Sequence, residues 1–233
     1  MNQLQIALNF FSKWLENNHP EVLMVNDLTT PILREYLVYM KDSHFNYKTK
    51  RFGLSTQTVN AIIRFLKNFY NFLFKEEIAS HNPLEQVNFL RTDESTFQPL
   101  SEDELQMLFN VPDKSQYPQW RDLVLMTLLY DTAIRINEAI NLRIEEIDIK
   151  TRRIVLPAIR NKTRKTRIIP ISNHVIKLLL ELLNENQIHL NNEFVFLNCY
   201  GEQMSEDTFR RNIKRYVKKA GITKQFSCND WRR

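Results

Sequence analysis

Glycine is scarce in this chain, with three residues among 233. That argues against a glycine-rich phosphate loop and a many-turned β-sandwich, and points toward helices. No apolar run approaches the roughly 18–20 residues that a membrane span needs. Residues 1–15 show neither the basic start nor the small-residue cleavage site of a secretory signal. The two cysteines, Cys199 and Cys228, stand far apart and form no CxxC pair. A zinc site or a disulfide framework is therefore not expected, and a reducing cytoplasm is the expected compartment. What the chain does have is 43% hydrophobic residues, enough for one large core or two small ones.

The net charge is +5 with an isoelectric point near 9.1, a mild pointer to nucleic acid. Its distribution says more than the total. Ile149 to Leu180 holds nine lysines and arginines and no acid, and Arg210 to Lys224 holds seven more, again with no acid. Acids gather instead at Asp93–Glu104 and Glu138–Asp148.

Hydrophobic spacing predicts helices over the first ninety residues. "LQIALNFFSKWL" sets Leu4, Leu8, Phe11 and Leu15 on one face, and "LTTPILREYLVYM" starts at Thr-Pro with Leu33, Tyr36, Leu37 and Met40 inward. In "STQTVNAIIRFLKNFYNFLFKEE", Val59, Ile62, Ile63, Leu66, Phe69, Tyr70 and Leu73 form an apolar stripe, with Ser55 placed to cap it. The opposite face carries Arg64 and Lys67, as a solvated surface or as a phosphate-contacting one. Two prolines and a polar stretch place a linker at residues 91–99, between a helical domain over 1–90 and a second domain over 100–233.

The second domain reads as mixed. A capping box, Ser101 to Glu104, opens one helix. "WRDLVLMTLLYDTAIRINEAINL" is apolar and helical, broken near Asp131. "RRIVLP" and "TRIIPIS" form a hairpin around "AIRNKTRK", with Glu193–Leu197 a further candidate strand. Two amphipathic helices follow, the second capped by Ser205 and stopped by Gly221. The expected class is mainly α with a small β-sheet, α+β.

Four pieces carry chemistry. Arg135 sits in an apolar stretch where an unpaired guanidinium is costly, and Glu138, one helical turn on, can orient it. Read alone, the pair is equally a buried tie between helices. The hairpin puts five bases, Arg160, Lys162, Arg164, Lys165 and Arg167, within eight residues. The helix beginning near Ser205 presents Arg210, Arg211 and Lys214, for phosphates or for solvent. The last piece is "CNDWRR", residues 228–233.

In this order and spacing the pieces resemble the tyrosine recombinase, or phage-type integrase, family. "GLSTQTVNAIIRFLKNFYNFLFKEEIASHNPLEQV" is similar to the end of its helical core-binding domain, and "PLSEDELQMLF" to the entry of its catalytic domain. "YDTAIRINEAINLRIEEIDI" resembles the box of the first catalytic arginine, and "RNKTRKTRIIPIS" the hairpin bearing the catalytic lysine. The resemblance implies attack of a tyrosine hydroxyl on a DNA phosphodiester, giving a 3′-phosphotyrosyl link without ATP, metal or other cofactor. Arginines suit the charge that builds on the nonbridging oxygens, because each is a permanently charged planar fork of donors. Arg135 matches the first arginine and Arg232 the second. Lys162 matches the general acid for the leaving 5′-oxygen, with Lys165 the alternative.

Asn229 stands where the family usually has histidine; an amide can donate to phosphate but cannot shuttle a proton near neutral pH. The nucleophilic tyrosine is expected beyond Arg232. Tyr200 and Tyr216 lie upstream of it and match core or surface positions, so residues 1–233 are expected to bind DNA and not to cleave it. The implied partners are double-stranded DNA and further copies of the chain, a tetramer when complete; accessory proteins leave no signature in the sequence. Two other readings remain: a non-catalytic DNA-binding derivative that occupies sites, and a helical DNA-binding module of other ancestry.

Overall fold

Apolar residues at helical spacing and very few glycines leave the chain little choice but helix, and helices dominate the computed structural model. It describes residues 3–47, 49–92, 98–160, 165–189 and 192–232, with backbone alone at Gln3, Arg160, Ile188 and His189. The chain divides into two compact units, Met1–Thr96 and Phe97–Arg233. Part of the expected 91–99 linker, residues 93–97, lies outside the described residues.

The first unit packs α1 (Gln3–Asn18), α2 (Thr30–Val38) and α3 (Thr56–Lys75) around one core. The α3 stripe is buried as its spacing demands, apart from the half-buried Phe69, and the Ser55 side chain accepts the Thr58 N–H at its start. On α1 the buried stripe is Ala7, Phe11 and Trp14, turned slightly from the leucines, which flank it half-buried. The larger Trp14 decides this by packing on Tyr36, 5.1 Å between ring centroids. After α2 a π-helical turn, Tyr39–Ser43, leads into a hairpin of two-residue strands, β1 (Phe45–Asn46) and β2 (Arg51–Phe52). The helical unit thus carries one small β element.

The second unit runs α4 (Glu102–Phe109), α5 (Tyr117–Thr132), α6 (Ile136–Ile140), β3 (Ile147–Asp148), β4 (Arg153–Leu156), β5 (Arg167–Pro170), α7 (Asn173–His189) and α8 (Glu206–Lys219). Its strands form one antiparallel sheet in the order β3-β4-β5, so the α+β class holds. The third strand is β3. Glu193–Leu197 instead makes isolated bridges, Arg143 with Phe194 and Leu197 with Gln203. A further single turn, Asp230–Arg232, is 3-10 helix. The α4 capping box forms as read, with Ser101 and Glu104 exchanging side-chain and backbone bonds. Among the described residues, no helix is long and apolar enough to cross a membrane.

Candidate functional site

The site begins where α5 stops. Ala133 takes a left-handed conformation, φ +48°, and ends the helix two residues after the expected break. Ile134 then buries completely, and Arg135 is extended, φ −67° and ψ 139°, just before α6. Ile136, Ala139 and Ile140 fix α6 in the core, which holds Glu138 beneath Arg135. The Glu138 carboxylate accepts the Arg135 backbone N–H at 3.2 Å and its Nη1 at 2.7 Å.

A second guanidinium shares that carboxylate. Arg167 Nη1, at the start of β5, donates to Glu138 Oε1 at 3.2 Å and Oε2 at 3.0 Å. The Glu138 side chain is 8% exposed, whereas Arg135 and Arg167 are 35% and 32% exposed. Burial alone would raise the Glu138 pKa. The side-chain and backbone hydrogen bonds from Arg135, with the charges of Arg167 and Arg135, outweigh it and hold the carboxyl below its usual range. Two permanent cations on one anion leave a net positive charge on a partly open surface, and each guanidinium has five N–H donors. That arrangement can receive a phosphodiester.

Arg232 and Asn229 flank a buried anchor. Trp231 packs its indole on Phe226 (4.8 Å), on Phe109 at the end of α4 (5.8 Å) and on Tyr130 of α5 (6.0 Å). The Asp230 carboxylate accepts both the Ser227 N–H and hydroxyl at 2.7 Å, closing the turn. Arg232 and Asn229 are left exposed on a turn docked against the end of the helix that leads to Arg135.

Of the hairpin bases, Lys162 and Arg164 lie outside the described residues, Arg160 is described by its backbone, and Lys165 is exposed. On α8, Arg210 is tied to Glu206 through Nε at 2.9 Å and through Nη2, while Arg211 and Lys214 are exposed. Arg64 and Lys67 of α3 lie over the Phe89 ring, 6.0 and 5.5 Å from its centroid. Among the described residues no group of three or more His, Cys, Asp or Glu could hold a metal ion.

The Phage integrase family matches residues 98–233, more than half of the chain and nearly all of the second unit. The chain belongs to the phage integrase family. It is 29% identical to the tyrosine recombinase XerC of Oceanobacillus iheyensis, over 96% of this chain and 79% of that protein. It is 26% identical to the XerC of Pelotomaculum thermopropionicum, over 95% of this chain and 71% of that one. The fold is similar to that of the Tn1549 transposon integrase in complex with circular intermediate DNA, with a TM-score of 0.70 at 19% identity. That match covers 100% of this chain and 79% of the integrase chain. It is also similar to the XerH site-specific recombinase bound to palindromic difH substrate, TM-score 0.68 at 19% identity, covering 89% of this chain and 60% of that one.

In this phage integrase family member, two features escaped the sequence. Arg167 reads there as one base among five, yet it is placed on Glu138. The signal was the period of two in "TRIIPI": Ile169 is buried in β5, so Arg167 shares its inward face. The other is the pair Arg121–Asp122, two charges inside an apolar helix that sequence periodicity passes over. Arg121 donates to Asp122 at 2.7 Å and to the Leu197 carbonyl at 2.6 Å. Asp122 also accepts from Asn212 at 2.7 Å and from the Tyr216 hydroxyl at 2.9 Å. Tyr216 is therefore a core residue, its pKa raised by burial and by the Asp122 charge, whereas Tyr200 is exposed on a turn.

Proposed function

We propose that this phage integrase family member is a site-specific recombinase or integrase of a mobile element, acting on double-stranded DNA. The observation that carries the reading is the pair of guanidiniums, Arg135 and Arg167, held on one buried carboxylate and partly open to solvent. In this reading Arg135 and Arg232 grip the scissile phosphate and stabilise the charge on its nonbridging oxygens. Lys162, or Lys165, protonates the leaving 5′-oxygen, and Asn229 donates a hydrogen bond where a histidine is usual. The nucleophile is a tyrosine that follows the second arginine, and the covalent intermediate is a 3′-phosphotyrosyl link. No metal or cofactor takes part.

The unit over residues 1–90 serves as the core-binding domain and that over 100–233 as the catalytic domain, joined by residues 91–99. Arg64, Lys67, Arg160, Arg164, Lys165, Arg167, Arg210, Arg211 and Lys214 supply cationic contacts to the duplex. Phosphate neutralisation makes binding steeply salt-dependent. Copies assemble on DNA, as a tetramer on paired sites, in the cytoplasm.

The test is a nicked suicide duplex incubated with the full-length gene product that carries this sequence. A covalent protein–DNA adduct is expected, and Arg135→Ala abolishes it while leaving duplex binding in place. Asn229 favours a second reading, a DNA-binding derivative that occupies sites without cutting them. Tight binding with no adduct from the full-length product would establish that alternative.

A further inference from the structure

The β1–β2 hairpin of the first unit is not explained by the fold. Two-residue strands are marginal by themselves, yet this hairpin is fastened at its root. Gly53 N–H donates to the His44 carbonyl at 2.8 Å, and Leu54 N–H to the Met40 carbonyl at 2.9 Å. Gly53 has φ +77°, and a Cβ there would lie 2.2 Å from the Lys41 carbonyl oxygen, so only glycine fits. At the tip, Lys50 takes φ +54° and returns its N–H to the Asn46 carbonyl at 2.7 Å. Phe45 sits between Tyr47 and Phe52, at 5.0 and 5.2 Å in edge-on contacts.

This scaffold holds apolar rings out in solvent. Tyr47 is 85% exposed and Phe52 is 73% exposed, and Lys50 and Arg51 beside them are exposed as well. Charge says what such a tip can meet. From Ser43 to Lys75 the chain has six bases, Lys48, Lys50, Arg51, Arg64, Lys67 and Lys75, and no Asp or Glu. The preceding segment, by contrast, carries Glu16, Glu21, Asp27, Glu35 and Asp42. The hairpin and α3 therefore share one acid-free stretch, and Leu54 and Ser55 alone separate Gly53 from the first residue of α3. Bases interleaved with exposed aromatics on an acid-free segment suit a polyanion that presents apolar sugar and base edges between its phosphates.

We propose that the β1–β2 hairpin is a DNA-contacting finger, adding to the binding face of α3. Lys50 and Arg51 meet phosphates, and Tyr47 lies against the sugar and base edges of the groove between them. A two-stranded ribbon is narrow enough to enter the major groove. This rests on the duplex-binding reading above, and the experiment separates the two.

The protein is titrated into a labelled mixed-sequence duplex between about 50 and 200 mM salt. Lys50→Asn with Arg51→Gln is expected to weaken binding about tenfold at low salt and to lower the salt slope by about 2. Asparagine tolerates the positive φ at position 50, and an unchanged melting curve confirms the fold. Tyr47→Ala is expected to weaken binding several-fold with the slope unchanged, since the ring carries no charge. Wild-type binding that both variants reproduce would overturn the finger and leave the duplex reading standing. So would unaltered DNA binding together with a changed oligomeric state, which would make the tip a protein-docking surface. No wild-type binding at the lowest salt would overturn both.

Discussion

Two arginine–carboxylate clusters in the second unit are built from the same chemistry and differ in stoichiometry and burial. At Arg121–Asp122 one cation meets one anion, both sealed from solvent, with Leu197, Asn212 and Tyr216 completing their hydrogen bonds. At Arg135–Glu138–Arg167 two cations share one anion, and the guanidiniums are about one-third exposed. The first cluster is neutral and hydrogen-bonded, so it ties α5 to α8 and to the backbone at Leu197 and can do little else. Among the described residues, the second retains a net positive charge that an incoming anion can neutralise. Counting charges and donors, more than the presence of a buried-looking arginine, separates a strut from a candidate phosphate site.

The largest effect is expected at the strut. Asp122→Ala leaves the Arg121 guanidinium buried without its anion and removes the acceptor of both Asn212 and Tyr216. Denaturant unfolding should show a loss of about 3–5 kcal/mol. Replacing both charges, Arg121→Met with Asp122→Leu, should recover much of it, because no buried charge is then left unpaired. A loss under about 1 kcal/mol for Asp122→Ala would mean that the pair is not the tie described.

Arg135→Ala should behave oppositely. Glu138 keeps Arg167, and the lost pair is partly exposed, so unfolding free energy should move by about 1 kcal/mol or less. Adduct formation by the full-length product should fall at least about 100-fold, the usual result of removing a transition-state donor. A large stability loss without an activity loss would turn this cluster into a second strut.

Glu138→Gln probes the shared anion through pH. The folded pKa of Glu138 is depressed, so its stabilisation is present above the usual carboxylate range and is lost as pH falls through the lowered value. The glutamine variant should be less stable than wild type at neutral pH, and the two should converge in acid, where wild-type Glu138 is protonated. Parallel stability–pH curves would show that Glu138 contributes no charge to the fold.

Much of this could be read beforehand, for physical reasons that also explain the remainder. The α3 stripe and the Ser55 and Ser101 caps depend on neighbours three or four residues away, so local spacing reveals them. Arg135 with Glu138 is likewise local, three residues apart. Arg167 reaches Glu138 across 29 residues, and Asp122 reaches Tyr216 across 94. Such pairs are made by packing, and no window of sequence contains both partners. On α1 the leucine spacing predicts one stripe, whereas the buried face, with the larger Trp14, is turned slightly from it. The two-residue strands of the β1–β2 hairpin are too short to leave a periodic signal, whereas their charge and ring exposure are plain once the turn is seen.

A third cluster, in the first unit, inverts the proportion and sets the lower end of the scale. His19 stands between two carboxylates, Glu21 at 3.0 Å and Glu35 at 3.1 Å, joining the end of α1 to α2. The Glu21 hydrogen bond raises the His19 pKa, and the bond and charge of Glu35 add to this against a burial effect of opposite sign. A raised folded pKa means that the stabilisation is complete below the usual imidazole value and is lost as pH rises through the folded one. Both carboxylates are largely exposed, so the effect must be small. The melting temperature of the first unit should slip slightly as pH passes from acid through neutrality, and His19→Gln should flatten that slope. If His19→Gln lowered stability equally at every pH, the residue would act by packing its ring on Trp14, 5.3 Å away, and not by charge.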